Sequence, residues 1–463
     1  MSAYDVVVLG AGPGGYVAAL RAAQLGATVC LVEKDVVGGT CLNRGCIPSK
    51  ALIHSAALWR RVQEGAALGV TASNWAFDWA AAQTRKNQIV GTQVKGVHML
   101  LGAAKVAVKQ GVGSLLDART VKITANGSDE SVTAKAIILA SGSEPRGLPG
   151  VEIDGQRILT STEALQLPAL PKTFLIVGGG VIGMEFASML SSLGTRVTVV
   201  EMLPQILPTE DPMLVRVLQA VLQKQGVAVH VNTKVEKVER TAAGVRVQIS
   251  GGTSVEAERV LIATGRSLNC AGIGLEKAGV LAAQGAIQVN ERMETSARGV
   301  YAIGDVTGIS LLAHVASMQG LVAAANATGG NATMDYSAIP NCIYTDPEIA
   351  SVGLSEPKAK EQGRAVKVGR FNFASLGKAM CIGETAGMAK VVADARTDQV
   401  LGVGIVGPHA TDIIAEAVLA IRHGLTAAQV AEAVHAHPTL PEAVGEAMHD
   451  VHGQAIHKAR LRA

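Results

Sequence analysis

Asp5-Val6-Val7-Val8-Leu9-Gly10-Ala11-Gly12-Pro13-Gly14-Gly15 decides the fold. Four apolar residues in a row, followed at once by glycines, predict a buried strand that turns sharply into a helix. The helix is expected over Tyr16 to Leu25, and a second strand, Ala27 to Val32, ends on Glu33. In this order the parts make a dinucleotide fingerprint. Gly10 permits the turn, Gly12 lets the backbone approach a pyrophosphate, and Gly15 lets helix and strand pack closely. The helix N-terminus offers free amides to the phosphates. Glu33 stands where a carboxylate takes ribose hydroxyls.

The unit recurs. Thr173 to Val177 reads as a strand, Gly178-Gly179-Gly180-Val181-Ile182-Gly183 follows, a helix starts at Met184, and the strand Arg196 to Val200 ends on Glu201. The first glycine and the acid are 23 residues apart in both copies. Two such sites imply two nucleotides, a bound flavin and a nicotinamide that exchanges. Glu201 accepts from a free 2′-hydroxyl and repels a 2′-phosphate, and Met202, Leu203 and Pro204 supply no arginine. NAD is expected rather than NADP.

Composition sets the limits. With 463 residues and 48% apolar content the chain can bury several cores, and 3% aromatics suits helices packed closely on parallel sheets. Lys and Arg total 41 against 38 Asp and Glu, with no basic run that would suit nucleic acid or a membrane surface. No apolar run has membrane-spanning length, and the strand beginning at Asp5 leaves no room for a leader, so a cytoplasmic location is expected. Six cysteines are too few for a secreted disulfide framework. Cys30, Cys270, Cys342 and Cys381 stand in apolar surroundings and read as buried core thiols, and no cysteine pair has zinc-site spacing.

Cys41 and Cys46 are different. They lie in Gly38-Gly39-Thr40-Cys41-Leu42-Asn43-Arg44-Gly45-Cys46-Ile47-Pro48-Ser49-Lys50. The spacing alone suits two unrelated thiols in a turn. A bridge between them would exclude regular helix throughout, because helical positions five apart have α-carbons about 8.7 Å apart and a disulfide needs about 7 Å. Gly45 is where a break is easiest.

Further along, Ala136 to Ala140 ends in Ser141-Gly142-Ser143, and Arg259 to Ala263 ends in Thr264-Gly265-Arg266. Gly299 to Ile303 closes on Gly304-Asp305, where a carboxylate suits a sugar hydroxyl or a turn cap. A helix is expected over Ala313 to Ala327. From about Asn341 the pattern becomes α+β, with strands at Ala365 to Phe371, Gly387 to Ala393 and Val400 to Val406, and helices from Ala410 to Arg422 and from Ala427. His435-Ala436-His437-Pro438-Thr439-Leu440-Pro441-Glu442 opens a helix near Pro441 and carries two histidines with a nearby glutamate.

Taken together, the cysteine stretch, the two fingerprints, Ala-Thr-Gly-Arg, Ala-Ile-Gly-Asp and the His-Ala-His-Pro-Thr-Leu-Pro-Glu segment resemble the pyridine nucleotide-disulfide oxidoreductases, in order and over essentially the whole chain. Cys-Ile-Pro-Ser-Lys, Glu201 and Met184-Glu185 resemble the NAD-linked members that oxidise dihydrolipoamide. The resemblance implies an α/β fold with two Rossmann-like dinucleotide-binding domains and a C-terminal α+β dimerisation domain. The expected divisions are 1–150 for FAD and the redox pair, 151–270 for NAD, 271–340 completing the FAD site, and 341–463 for the dimer interface.

The resemblance also assigns roles. Cys41 and Cys46 form a redox disulfide, Cys41 facing substrate and Cys46 the flavin. FAD lies on Gly10, Gly12 and Gly15, near Glu33, Lys34, Gly39, Thr40 and Lys50. Gly113, Ser141, Gly142, Ser143 and Asp305 extend that site, with Leu311, Leu312, Ala313 and His314 at the later helix. NAD lies on Gly178, Gly180, Val181, Ile182, Gly183 and Glu185, with Glu201, Val235 and Gly265. His437 is the acid/base, oriented by Glu442 and acting on the disulfide of the other subunit of a homodimer. Lys50, one helical turn beyond Cys46, stabilises thiolate and reduced flavin, with Glu185 as its counter-charge. His435 competes with His437 or packs beside it, and Arg44 has no assigned role. Lipoyl-bearing proteins of 2-oxoacid dehydrogenase or glycine cleavage complexes are the implied partners. The alternatives are reduction of glutathione disulfide or mercuric ion, or a flavin-loaded subunit without turnover. The C-terminal His457 to Ala463 lacks the extra cysteines of mercuric and large thioredoxin reductases.

Overall fold

Val6–Leu9, Val29–Val32 and Ala136–Leu139 are nowhere more than 5% exposed. Runs buried on both faces belong in parallel sheets covered by helices, and the computed structural model places them so. It describes residues 2–71 and 73–459, so Arg460–Ala463 of the C-terminal stretch lie outside the described residues.

The chain divides into two compact units, 1–51, 80–146 and 265–335 forming one, 52–79, 147–264 and 336–463 the other. In the first, the strands Ala107–Gln110, Val29–Glu33, Ser2–Leu9 and Ser128–Leu139 lie side by side and parallel, and Val300–Ala302 adds in parallel beyond the last. Ser128–Leu139 is long enough to serve two neighbours. Its first half pairs antiparallel with Thr120–Ala125, which carries Val112–Leu115 outward. The register aligns Leu9 with Val32 and Leu139, and Leu139 with Ala302. The strands therefore end together, and Gly10, Glu33, Ser141 and Asp305 follow at one edge of the sheet.

The second unit repeats the device. Ala228–His230, Arg196–Val200, Thr173–Val177, Arg259–Ile262 and Ile158–Leu159 form a parallel sheet. Val200, Val177 and Ile262 are in register, so Gly178, Glu201 and Ala263 emerge together. An antiparallel sheet of Pro340–Ile343, Glu348–Gly353, Val400–Gly407, Met388–Asp394 and Val366–Asn372 follows. The helices Ala410–Arg422 and Glu442–Val451 close its core with Phe371, Ile405, Ile414 and Met448.

The helices begin earlier than expected. The first runs Pro13–Gln24 and its counterpart Val181–Ser192. Pro13 at N1 has its φ preset for a helix, so the helix starts inside the glycine run. The cysteines also differ from expectation. Cys30 is buried, but Cys270 and Cys342 are half-buried and Cys381 is exposed. Cys381 sits in a short helix, Gly377–Ile382, whose Met380 also faces outward, so apolar neighbours in sequence did not mean a core position.

One buried charge cluster ties the antiparallel sheet to the helix after Glu201. Lys390, 4% exposed, donates to Asp211 Oδ2 at 2.7 Å and lies 2.8 Å from Glu356 Oε2. Asp211 also caps helix Pro212–Lys224 by accepting from Met213 N. Hydrogen bonds from Lys360 and Lys390 pull the Glu356 carboxyl down from 4.5 to about 2. Its folded-state pKa is depressed, so its stabilisation is complete above the ordinary carboxylate value and is lost as pH falls from there toward 2. Lys390→Met should lower unfolding stability by about 3–5 kcal/mol, since it strands the buried Asp211 carboxylate, whereas Glu356 keeps Lys360 and Arg370. Glu356→Gln should flatten the acid limb. Urea midpoints against pH check both; a Lys390→Met shift no larger than that of exposed Lys360→Met counts against the cluster.

Candidate active site

Gly45 breaks the cysteine stretch where expected. Helix Gly39–Arg44 ends at Gly45, with φ −142° and ψ −111°, and helix Cys46–Gln63 begins at once. A Cβ on Gly45 would lie 3.0 Å from Thr40 O and 3.3 Å from Cys41 Cα. The chain therefore folds back on Cys41 just before Cys46, and both cysteines are half-buried. Gly39 presses on the fingerprint loop, since its Cβ would lie 2.6 Å from Gly12 Cα, and Gly38 N donates to Ala11 O at 2.8 Å. Lys50 lies one turn beyond Cys46 on the second helix, as the i+4 spacing requires.

Two side chains that sequence reasoning left without a role hold this segment. Asn43 Nδ2 donates to Val37 O at 3.1 Å and Gly39 O at 3.0 Å. Arg44 pairs with Asp35, and Asp35 N donates to Glu33 Oε1 at 2.8 Å. Arg44 thus links the cysteine stretch to the acid-bearing loop. No local pattern announces either contact, because each partner lies across a loop.

At the first sheet edge, Glu33 closes the glycine turn, accepting from Ala11 N at 2.7 Å. Burial pushes its carboxyl above the ordinary value, against the Ala11 amide and the Lys34 and Arg44 charges. Lys34 is exposed and reaches Glu144 at 2.9 Å. Gly113 lies in strand Val112–Leu115, where a Cβ would meet Leu9 Cδ2 at 2.7 Å. Ser141 Oγ donates to Asn269 O at 2.8 Å, Gly142 has φ +70°, and Asn269 N donates to Gly142 O at 3.0 Å. Ser143 bonds Asp305, and Arg266 bonds Ser143. Asp305 lies in the turn Gly304–Thr307, held by Gly304 N donating to buried Gln319 at 2.6 Å. Leu312 precedes helix Ala313–Ala327, whose first residues Ala313 and His314 carry no side-chain cap, and Leu311 is exposed.

The second edge is built alike. Glu201 Oε2 accepts from Gly179 N at 2.6 Å and Oε1 from Leu203 N at 2.8 Å. Val181, Ile182, Gly183 and Glu185 lie in helix Val181–Ser192, and Val235 opens strand Val235–Arg240. Glu185, 5% exposed, accepts from Tyr344 N at 3.1 Å. Gly265, φ +124°, lies against the Arg146 guanidinium.

The residues fit nucleotides at both edges. A Cβ on Gly15 would stand 1.8 Å from Gly10 O, and one on Gly183 2.0 Å from Gly178 O, so these glycines serve backbone packing. Gly12 and Gly180 do not. Their φ of −67° and −73° suits any residue. A Cβ on Gly180 would meet nothing within 4 Å, and one on Gly12 only Gly39 Cα at 4.0 Å. Neither conformation nor protein packing requires glycine there, and both stand at uncapped helix N-termini. A close-lying pyrophosphate would supply the reason.

At the C-terminal segment His437 is 78% exposed and its Nδ1 lies 2.8 Å from Glu442 Oε1. Burial raises the Glu442 carboxyl, but the Thr439 amide and the His437 ring outweigh it and hold it below the ordinary value. A carboxylate only accepts, so Nδ1 carries the proton and Nε2 is left as the base atom. His435 is placed differently. Its Nδ1 lies 3.0 Å from Ala433 O, its Nε2 3.0 Å from Glu416, and Gly445 backs onto its ring. Both nitrogens are engaged, so His435 packs.

Two nucleotide edges, a cysteine pair folded on itself and a histidine–carboxylate pair describe a dinucleotide-dependent thiol oxidoreductase. The chain belongs to the pyridine nucleotide-disulphide oxidoreductase family, matching it over residues 4–320 and its dimerisation domain over residues 339–448. Enzymes of this family use FAD and NAD. Relatives named dihydrolipoyl dehydrogenase include one from Bacillus subtilis, 44% identical over 98% of this chain and 99% of its own. Another, from Thermus scotoductus, is 43% identical over 99% of each. A mitochondrial one from Pisum sativum is 40% identical over 98% of this chain and 92% of its own. The crystal structure of LpdA from Mycobacterium tuberculosis superposes with a TM-score of 0.92 at 31% identity, covering 97% of this chain and all of that one. The HOCl-induced flavoprotein disulfide reductase RclA from Escherichia coli gives 0.87 at 26%, covering 96% and 99%. Among the described residues no helix is long and apolar enough to cross a membrane, and no group of three or more His, Cys, Asp or Glu side chains could hold a metal ion.

Gly12→Ala should leave the thermal midpoint of the apo chain within about 1 °C of wild type and abolish FAD retention, whereas Gly15→Ala should destabilise the apo chain itself. Calorimetry with flavin fluorescence separates them; unchanged retention in Gly12→Ala rules out pyrophosphate at this turn. Glu201→Ala removes the acceptor of two turn amides, so it should weaken NAD itself, by about tenfold or more, rather than only admit NADP. Titration of both nucleotides checks this, and unchanged NAD affinity overturns it.

Proposed function

We propose that this chain, as a homodimer, oxidises protein-bound dihydrolipoamide to lipoamide and reduces NAD, through a Cys41–Cys46 disulfide and a His437–Glu442 acid–base pair. The observation that carries the reading is the exposed His437 with its Nδ1 on Glu442 at 2.8 Å. It leaves an open base whose tautomer is fixed. The names of the full-length relatives support the substrate, and the dimerisation domain supports the homodimer. Lipoyl-bearing proteins of 2-oxoacid dehydrogenase or glycine cleavage complexes are the partners this chemistry calls for.

His437 Nε2 takes a proton from one substrate thiol, because the thiolate is the nucleophile. That thiolate attacks Cys41 Sγ. A substrate–Cys41 bond forms, the Cys41–Cys46 bond breaks, and its electron pair leaves on Cys46. The second substrate sulfur, giving up its proton, then attacks the first substrate sulfur in the mixed disulfide; the bond to Cys41 breaks, its electron pair leaves on Cys41, and Cys41 takes the proton. Lipoamide leaves, with Cys41 as thiol, Cys46 as thiolate and His437 protonated. Glu442 stabilises the imidazolium, and Lys50 stabilises the Cys46 thiolate. FAD, when bound, carries the two electrons from the dithiol to the nicotinamide. Gly12, Glu33 and Asp305 would hold it on the turn that Gly10 and Gly15 shape, and Gly180 and Glu201 would hold NAD on the turn that Gly178 and Gly183 shape. The division into 1–150, 151–270, 271–340 and 341–463 follows this assignment of roles.

His437→Gln should lower dihydrolipoamide-dependent NAD reduction about 10²- to 10⁴-fold. NADH oxidation by an artificial quinone acceptor should persist, since it needs no thiol base. A loss below tenfold removes His437 from the mechanism. Greater turnover of glutathione disulfide with NADPH than of dihydrolipoamide with NAD would replace the substrate assignment.

A further inference from the structure

Hydrogen-bond direction at the end of strand Val300–Ala302 carries an inference about how the FAD edge is held. Arg266 can only donate. Its Nε–H donates to Ser143 Oγ at 2.6 Å, and its Nη2–H donates to Ser143 O at 2.7 Å. Ser143 Oγ therefore accepts from Arg266, and its single proton is left for Asp305 Oδ2, with which it bonds. Arg266 Nε also stands 3.7 Å from that oxygen. Ser143 is 4% exposed, so its hydroxyl is enclosed and fully engaged inside the protein. Burial lowers the Arg266 pKa, while the Asp305 and Glu144 charges oppose the loss of its proton. The frame is rigid, because Ser143–Pro145 pairs antiparallel with Arg266–Leu268 and Leu268 lies opposite Ser143. Among the described residues no donor reaches Asp305 Oδ1.

We infer that Arg266 and Ser143 are positioning residues that act on the FAD sugar chain only through Asp305: Arg266 fixes the direction of the Ser143 hydroxyl, which holds the Asp305 carboxyl in place with Oδ1 left for a cofactor hydroxyl. This rests on the reading of the first sheet edge as the FAD site, and it changes the part of Ser143 from cofactor contact to support. A polyol hydroxyl is the chemistry that suits Oδ1, since a carboxylate oxygen beside a half-buried guanidinium accepts strongly.

A double-mutant cycle on holoprotein tests it, reading FAD affinity by the fluorescence of released flavin and, separately, the thermal midpoint of the apo chain. Asp305→Asn, Ser143→Ala and Arg266→Met should each weaken FAD about tenfold or more, with Arg266→Lys intermediate, because lysine keeps the charge and loses the two-point grip. Apo midpoints of Ser143→Ala and Arg266→Lys should stay near wild type. In the Asp305→Asn background Ser143→Ala should cost nothing further. If Ser143→Ala weakens FAD by the same factor in both backgrounds, Ser143 touches the cofactor itself and the inference falls. If affinity loss merely follows loss of apo stability, Arg266 and Ser143 only hold the fold together and the inference falls. If Asp305→Asn alone leaves FAD affinity unchanged, the assignment of this edge to FAD fails instead, and the inference with it.

Discussion

Two backbone approaches set the geometry on which everything else depends. At Gly15 against Gly10 O, and at Gly183 against Gly178 O, a side chain would have to occupy space within 2.0 Å of a carbonyl oxygen. Removing that side chain lets each helix start directly on the end of its strand. The helix amides then face the same sheet edge at which the neighbouring strands end. Sheet register does the rest. Because Leu9, Val32, Leu139 and Ala302 lie in line, residues far apart in sequence arrive together. The same alignment of Val177, Val200 and Ile262 repeats the arrangement in the second unit. One steric constraint, used twice, yields two nucleotide edges.

The two acids at these edges hold the glycine turns together. Glu33 and Glu201 each accept from the amide after the first glycine and from the amide two residues past themselves. They fasten the turns from the inside. A carboxylate has acceptor capacity for several donors, so structural and ligand duties coexist on one side chain. That is why an acid at this position cannot be exchanged as a specificity element alone. Arg266 applies the same economy at Asp305, where a half-buried donor that cannot accept dictates the direction of a neighbouring hydroxyl.

Much of the fold could be read directly. Helices Ala313–Ala327 and Ala410–Arg422 begin and end where their patterns say, and Val366–Asn372, Met388–Asp394 and Val400–Gly407 fall within a residue of expectation, whereas Pro340–Ile343 and Glu348–Gly353 complete the same sheet without a strand pattern that announces them. Gly45 was identified as the break between Cys41 and Cys46 because disulfide geometry and helix geometry conflict. The misses have a common cause. Cys381 and Cys342 lie among apolar neighbours in sequence, yet exposure is set by which side of an element faces the core. Arg44 found Asp35 and Asn43 found Val37 and Gly39, contacts across loops that no period in the sequence encodes. His435 and His437 differ by two residues and look equivalent in sequence. Only packing against Gly445 and Glu416 separates an enclosed ring from an open one.

The sequence by itself determined which residues are chemically equipped. The repeated 23-residue spacing, the uninterrupted apolar runs, the glycines and the Cys, Lys, His and Glu side chains are local facts, and strand, turn and helix follow from them because they depend on neighbours along the chain. Tertiary structure decided which of those groups is engaged and which is open. Partner choice for Arg266, Ser143, Asp305, Lys390 and Glu201 depends on distances between segments up to some 180 residues apart. Hydrogen bonds and buried charges are short-ranged and directional, so their assignment exists only once sheet register has brought the segments together.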